Sequence, residues 1–409
     1  MQEGKSEPTM SDATPRTVYL DYAATTPVDE RVVTAMLPFL TEHYGNPNSL
    51  YGLGRDAYRA LEAARESFAR GIGAADPGEV IFTGAGTEGD NAAVLGIARA
   101  GRARGKGDHV IVSSFEHHAI LEPAHRLAKE GFEVTELRPR EDGLIHTEDL
   151  RAILRDSTVL VSVMHANNEL GTIQPIKELA AATHEVGGYF HTDAIQALGK
   201  VEWNAVDNGV DAASFSAHKI YGPKGVGVLY LKRGTPFEVY MIGGGQESKK
   251  RSGTQNVAGA TAFAKALELM LAERETENPR LEALRDRVID GVLQMPHTAL
   301  NGARDVPRLP GTANLSINGV EGEAMLLRLD NLGIAVSTGS ACSSGSLEPS
   351  HVLLAIGLKP EIAHGSLRVT VGRFTTDADV DYLLEKLPPI IELLRAMSPV
   401  YAKMFGASA

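Results

Sequence analysis

Between Val80 and Leu231, short β-branched runs take turns with Ala-, Leu- and Glu-rich stretches, and this alternation limits the fold more than any other feature of the chain. The runs are Val80-Ile81-Phe82, His109 to Val112, Phe132 to Thr135, Val159 to Val163, Tyr189-Phe190-His191, Ala213 to Ser216 and Gly227 to Tyr230. Most are apolar throughout rather than every second residue, which is the pattern of strands covered on both faces. The stretches between them, such as Asp56 to Arg70, His118 to Glu130 and Ile176 to Glu185, have helical composition. Strands and helices in strict alternation predict an α/β fold around a mostly parallel, seven-stranded sheet. After Val257 the rhythm changes. A long helical stretch, Ala258 to Gln294, precedes more widely spaced strands at Thr312 to Ile317, Ile334 to Val336 and Leu367 to Val371, and a closing helix at Ala378 to Arg395. The expected organisation is a large domain over residues 17–270 and a smaller α+β domain over residues 271–409, with the boundary inside the long helix. The first residues of the large domain are free to pack on the small one. Residues 1–16 contain little to bury and are expected to be disordered, with Met10 as a second candidate start.

A chain of 409 residues with 43% hydrophobic and 22% charged residues has ample material for such cores. No apolar run approaches the roughly 18 residues that span a bilayer, and the polar start lacks the apolar centre of a signal peptide. A single cysteine without an export signal points to the cytoplasm. The formal net charge of −12 argues against direct grip on a nucleic-acid backbone.

Several segments bear chemistry. In Ser214 to Gly227 an apolar strand delivers Lys219 just before the Gly/Pro-rich turn Tyr221-Gly222-Pro223-Lys224-Gly225. Sheet enzymes place reactive groups beyond strand ends, and a lysine there can form a Schiff base with an aldehyde cofactor. Ser216 and His218 beside it are donors suited to a phosphate. In His191 to Gln196, again at a strand end, Asp193 is placed to pair with the protonated ring nitrogen of pyridoxal phosphate; the competing role is a helix N-cap. Gln196, three residues on, shares its side if the chain turns helical. Thr83 to Asn91 is a Gly-rich strand-to-helix turn whose helix N-terminus offers amides to a phosphate, without the spacing of a nucleotide-binding motif. Glu116-His117-His118 lacks further ligands at metal spacing, so a stacking or proton-shuttling histidine fits better than metal. Arg368 stands inside a strand-like run, where a guanidinium either clamps a carboxylate or forms a structural ion pair.

The one cysteine, Cys342, is set among Gly and Ser in Ser337 to Ser346. A thiol used for packing is flanked by packing residues. This composition instead suits a mobile loop carrying a reactive thiol.

With these segments in hand, the chain resembles the cysteine desulfurases, pyridoxal-phosphate enzymes of the class V aminotransferase group. The likeness runs through Leu20-Asp21-Tyr22-Ala23-Ala24-Thr25-Thr26-Pro27, Gly45-Asn46-Pro47-Asn48-Ser49, His165-Ala166-Asn167-Asn168-Glu169, the lysine segment, Gly243 to Glu247, Arg251-Ser252-Gly253-Thr254, the cysteine loop, and Gly372 to Thr376. The resemblance implies a fold-type I transferase in which Lys219 holds the cofactor and later moves protons. It implies that His117 stacks on the ring and acts as acid/base, Asp193 pairs with the ring nitrogen, and Gln196 faces the ring hydroxyl. Gly86, Thr87, Ser216 and His218 would hold the phosphate, and Thr254 would reach the phosphate of a partner subunit in a homodimer. Asn168 and Arg368 would bind the substrate, with Arg368 on its carboxylate. Cys342, on a loop at about residues 337–347, would take sulfur from L-cysteine as a persulfide, leaving L-alanine. The loop looks like the long-loop branch, which passes sulfur to iron–sulfur scaffolds or other acceptor proteins and to tRNA thiolation. It implies no resident metal, although Cys342 could transiently ligate a cluster. Gly84 and Gly89 depart from the usual residues of the phosphate turn. A selenocysteine lyase, an aminotransferase of the same class and a catalytically idle relay subunit stay open at this point.

Overall fold

The seven apolar runs pair into one sheet, in the order Val80–Thr83, Gly227–Leu231, Ala212–Ser216, Tyr189–Asp193, Thr158–Ser162, His109–Ser113 and Glu133–Leu137. This computed structural model describes residues 17–338 and 348–406. The expectation for residues 1–16 therefore lies outside the described residues. The strand Gly227–Leu231 runs antiparallel to both neighbours, and every other pairing between adjacent strands is parallel. Because side chains alternate across a strand, Val80, Phe82, Ile111 and Phe215 enter the core on one face, while Ile81, Val110, Val112 and Leu229 enter the core on the other. The first face is covered by the helix Gly52–Ile72 and the first half of the helix Val257–Leu293. The helices Gly86–Ala103 and His118–Lys129 cover the second.

A separate cluster of buried side chains gathers Leu284, Val288, Val292, Leu315, Leu367, Leu383 and Ile391 around a three-stranded antiparallel sheet, Thr298–Leu300, Thr312–Ile317 and Ser366–Thr370. The 37-residue helix Val257–Leu293 serves both cores. Its buried positions run from Val257 to Leu269, lapse, and resume at Leu284. The chain also joins the two clusters at its beginning. Val18 and Leu20 are buried in the second cluster, and Val18–Tyr19 pairs with Ile334–Ala335. The next residues cross to the first, where Thr26 N–H donates to the carbonyl of His218 at 2.9 Å. The strands Val18–Tyr19 and Thr298–Leu300 were not visible in the sequence. Two or three residues carry no period, and both owe their conformation to a partner strand: Ile334–Ala335, far along the chain, for the first, and the following strand Thr312–Ile317 for the second.

Candidate active site

Four parallel strands and the Val80–Thr83 edge strand point their C-terminal ends at one cavity of about 270 Å³. Lining it are Gly86 and Thr87 after the first strand, His117, Met164, Asp193 with Ile195 and Gln196, and Ser216 with His218 and Lys219. Ala23 and Ala24 close it from the N-terminal segment, and Asn168 and Arg368 close it on the side of the second cluster.

The phosphate turn is built by close backbone approach. A Cβ on Gly86 would lie 2.3 Å from Ile195 Cδ1, and one on Gly227 would lie 2.5 Å from the backbone of Ala85. The backbone contact at Gly227 requires glycine, and a larger residue at 86 would displace the Ile195 side chain. The first amides of the 18-residue helix Gly86–Ala103 thereby face the cavity beside buried Ser216, an arrangement suited to a phosphate dianion. His218 completes this end, with Nδ1 3.2 Å from Thr25 Oγ1. Burial, then the charges of Lys219, Lys224 and Lys200, push its imidazole down to about 4.

Opposite the turn, buried Asp193 accepts from Ile195 N–H at 2.9 Å through Oδ1 and forms no ion pair among the described residues. The Lys219 ammonium acts on this carboxyl through the cavity without pairing with it, and a protonated pyridine nitrogen would supply a direct partner. Behind it Asp90, one turn into the phosphate helix, is fully buried, and neither oxygen has a hydrogen-bond partner. Its nearest cationic candidate, His191 Nε2, is 3.8 Å away. Burial, then the adjacent Asp193, raise the Asp90 carboxyl well above the usual range.

Lys219 Nζ donates to the carbonyls of Ala23 at 2.6 Å and Ala24 at 2.7 Å. His117 caps the helix His118–Lys129, its Nδ1 accepting from Ala119 N–H at 3.0 Å. That bond leaves the proton on Nε2. Burial, then the charges of Lys219, His118 and His351, push the ring down to about 4, so His117 is a neutral base at physiological pH. Arg368 is buried; it pairs with Asp21 at 2.8 Å and donates to the Asn168 carbonyl at 3.0 Å, while its Nε–H has no partner. The ion pair weighed for it is thus present, and Arg368 also lines the cavity.

Phosphate cradle, unpaired carboxyl and lysine together fit pyridoxal phosphate. The structure brings ten of the twelve expected site residues into one cavity. Gly86, Thr87, His117, Asn168, Asp193, Gln196, Ser216, His218, Lys219 and Arg368 share the cavity. Thr254 does not line it and is exposed. Cys342 lies outside the described residues. Sequence reasoning gave no role to Ala23 and Ala24, whose quoted motif was the available signal, nor to Asp90, Glu116 and Lys200.

Glu116 is fully buried. Its Oε1 accepts from Met164 N–H at 2.6 Å and from the Ser113 hydroxyl, while Oε2 has no partner. Burial pushes it up to about 8. A folded-state value above the unfolded one means the native protein holds an extra proton, so stability is full below about 4.5 and declines as pH rises through 8. Glu116→Gln removes that decline. In cofactor-free protein the variant should match the parent at pH 5 and exceed it at pH 9 by roughly 2–4 kcal/mol, read as the urea midpoint. Parallel pH dependences in the two proteins would contradict the protonation assigned to Glu116.

The Aminotransferase class-V family profile matches residues 18–383. A protein of Dictyoglomus turgidum named "Cysteine desulfurase IscS" is 51% identical over 385 residues, covering 94% of this chain and 97% of that protein. One of Methanosarcina thermophila with the same name is 48% identical, covering 95% and 96%. Among solved structures, a "NIFS-LIKE PROTEIN" superposes with a TM-score of 0.86 at 36% identity, covering 93% of this chain and 99% of that one.

Proposed function

Because this chain belongs to the class-V aminotransferases, and among them to the cysteine desulfurases, we propose that its cavity removes sulfur from L-cysteine with Lys219 as base and Cys342 as sulfur acceptor. The observation that carries this assignment of roles is the single cavity on which the phosphate cradle, Asp193, Lys219 and Arg368 converge. When bound, pyridoxal phosphate supplies an aldehyde carbon for the substrate amine and a ring that withdraws electrons from the substrate's Cα.

The chain's own residues do the rest. Gly86, Thr87, Ser216 and His218 hold the phosphate, Asp193 keeps the ring nitrogen protonated, and His117 and Gln196 flank the ring. Arg368 takes the substrate carboxylate through donors that Asp21 and Asn168 leave unused, and Asn168 borders the same end. Lys219 moves the proton from Cα, and His117, neutral and donating from Nε2, serves as acid/base beside it. The Cys342 thiolate forms a bond to the substrate sulfur as the Cβ–S bond breaks. The products are a persulfide on Cys342 and L-alanine, with no external oxidant needed. From Cys342 the sulfur passes to an iron–sulfur scaffold, another acceptor protein, or the machinery of tRNA thiolation.

A homodimer is part of this reading. Tyr44, Leu50, Tyr51 and Tyr58 are between 54% and 90% exposed, and this apolar stretch adjoins the Thr254 segment through Asn48 and Gln255 at 3.0 Å. Covering it with a second copy would remove a large apolar patch from water and bring Thr254 to the partner's cavity. Residues 17–270 act as the cofactor-binding unit and residues 271–409 as the smaller one that carries the cysteine loop. A cytoplasmic location accords with a single cysteine kept reduced. No helix among the described residues is long and apolar enough to cross a membrane.

The test is direct. The purified protein should be yellow and, given L-cysteine and a reductant, should yield alanine and sulfide in equal amounts. Amino transfer to a keto acid with no sulfide would favour an aminotransferase, and turnover of selenocysteine alone would favour a selenium-specific lyase.

A further inference from the structure

Behind the cofactor cavity lies a second, smaller one of about 40 Å³, and Ala23, Gln196 and Lys219 form the wall between them. Lys200 lines only the smaller cavity. It occupies the turn that follows Gln196, and its carbonyl accepts from Asn278 Nδ2 at 2.8 Å, which ties the turn to the long helix. Its Nζ donates to Gln196 Oε1 at 3.2 Å. On the other side of the same carboxamide, Gln196 Nε2 donates to the Ala23 carbonyl at 2.9 Å, and that carbonyl also accepts from Lys219.

These contacts decide which way the Gln196 amide is turned. A backbone carbonyl only accepts, so Nε2 must face Ala23. Lys200 Nζ donates to Oε1, and in its ammonium form it cannot accept, which turns Oε1 toward it. Both neighbours demand the same orientation, and Gln196 is buried, so water does not substitute freely for either. The second Nε2 hydrogen is then the only carboxamide donor left for the cofactor.

We infer that Lys200 is a positioning residue of the cofactor site, which holds the Gln196 carboxamide with its nitrogen toward the bound ring. The inference rests on the reading of Gln196 as the partner of the ring hydroxyl. Without Lys200, a buried oxygen loses its donor and the amide has reason to turn that oxygen elsewhere. The ring hydroxyl then loses a fixed donor, although no atom of Lys200 touches the cofactor.

The experiment compares holoenzymes of the parent, Lys200→Met, Lys200→Arg, Gln196→Ala and the Lys200→Met/Gln196→Ala double variant. The readouts are the position of the yellow absorption band and the dissociation constant for pyridoxal phosphate added to apoenzyme. Lys200→Met should move the band in the same direction as Gln196→Ala and weaken cofactor binding about tenfold, the scale of one hydrogen bond to a charged group. The double variant should be no worse than Gln196→Ala alone, because both act through one carboxamide. Lys200→Arg, which keeps a charged donor, should restore most of the parent's band position. A parental spectrum for Lys200→Met beside a shifted one for Gln196→Ala would overturn the role of Lys200 and leave that of Gln196 standing. Fully additive effects would overturn it too, since a lysine acting only by charge on Lys219 does not need Gln196. An unchanged spectrum for Gln196→Ala would remove the premise itself. If Lys200→Met fails to fold, Lys200→Gln carries the same comparison, with an intermediate shift expected.

Discussion

Lys219→Ala should lower alanine formation from L-cysteine by about 10³-fold or more, the scale expected for removing a positioned base that also holds the cofactor. Of the described residues lining the cavity, Lys219 carries the only primary amine. Its Nζ donates to two carbonyls of the N-terminal segment at 2.6 and 2.7 Å. His117 can accept a proton, but it is an imidazole and cannot hold an aldehyde as a lysine amine can. The variant should also lose the yellow band, because binding through the phosphate cradle and Asp193 remains while the covalent attachment does not. Cys342→Ala separates the two halves of the reaction. It should keep the yellow colour and lose the transfer of sulfur, since in the proposed reaction the thiol acts on the substrate sulfur and not on the cofactor. Single-turnover measurements of alanine, persulfide and absorbance distinguish these outcomes. A Lys219→Ala enzyme within tenfold of the parent would sink the assignment, as would a Cys342→Ala enzyme that still delivers sulfide at the parental rate.

Glu247→Ala should cost about 3–5 kcal/mol of stability, the range for stripping one partner from a buried ion pair. Arg65, on the helix Gly52–Ile72, reaches Glu247 with two parallel bonds, at 2.7 and 2.9 Å, and the carboxylate side chain is only 1% exposed. Glu247 Oε2 also accepts from Phe82 N–H at 3.0 Å, and Arg65 donates to the Val80 carbonyl at 2.6 Å. The pair therefore binds three elements: a helix, the edge strand of the sheet, and the segment leading to Thr254. That segment needs such a clamp, because Glu247, Ser248 and Lys249 all have positive φ, between 46° and 64°, a backbone region that costs non-glycine residues free energy. Truncating Glu247 leaves the Arg65 charge buried without its carboxylate and removes the restraint together. Urea unfolding at fixed protein concentration provides the number. The Arg65→Ala/Glu247→Ala double variant should lose less than the sum of the single losses. A cost under about 1 kcal/mol for Glu247→Ala would mean that this pair contributes as little as an exposed one.

The readable part of this chain was local. Seven runs such as His109 to Val112 were recognisable as strands because β-branched residues suit a pleated surface covered on both sides. Lys219 and Asp193 stood out because each ends such a run where a turn begins. Arg65 and Glu247 gave no comparable signal, being 182 positions apart and ordinary charged residues in composition. Lys200 reads in sequence as one more surface lysine. In the fold it is enclosed beside Lys219, and burial, then that second charge, pushes its ammonium down to about 7. Ala23 and Ala24 act through carbonyl groups, which every residue has. Their signal in the sequence was the surrounding run Leu20 to Pro27, not their own side chains.

The sequence by itself determined the alternating elements, the strand-end positions of the reactive groups and the inventory of those groups. Periodicity, turn chemistry and strand propensity act over a few neighbouring residues, and they are written directly in residue order. The tertiary structure alone decided which groups share a cavity and in what state they wait there. It set Asp193 against a phosphate cradle, left Asp90 buried without a partner, paired Arg368 with Asp21 across the chain, and turned the Gln196 amide between Lys200 and Ala23. Those outcomes depend on desolvation and on Coulomb and hydrogen-bond contacts between residues far apart in sequence, which exist only once the two cores have packed.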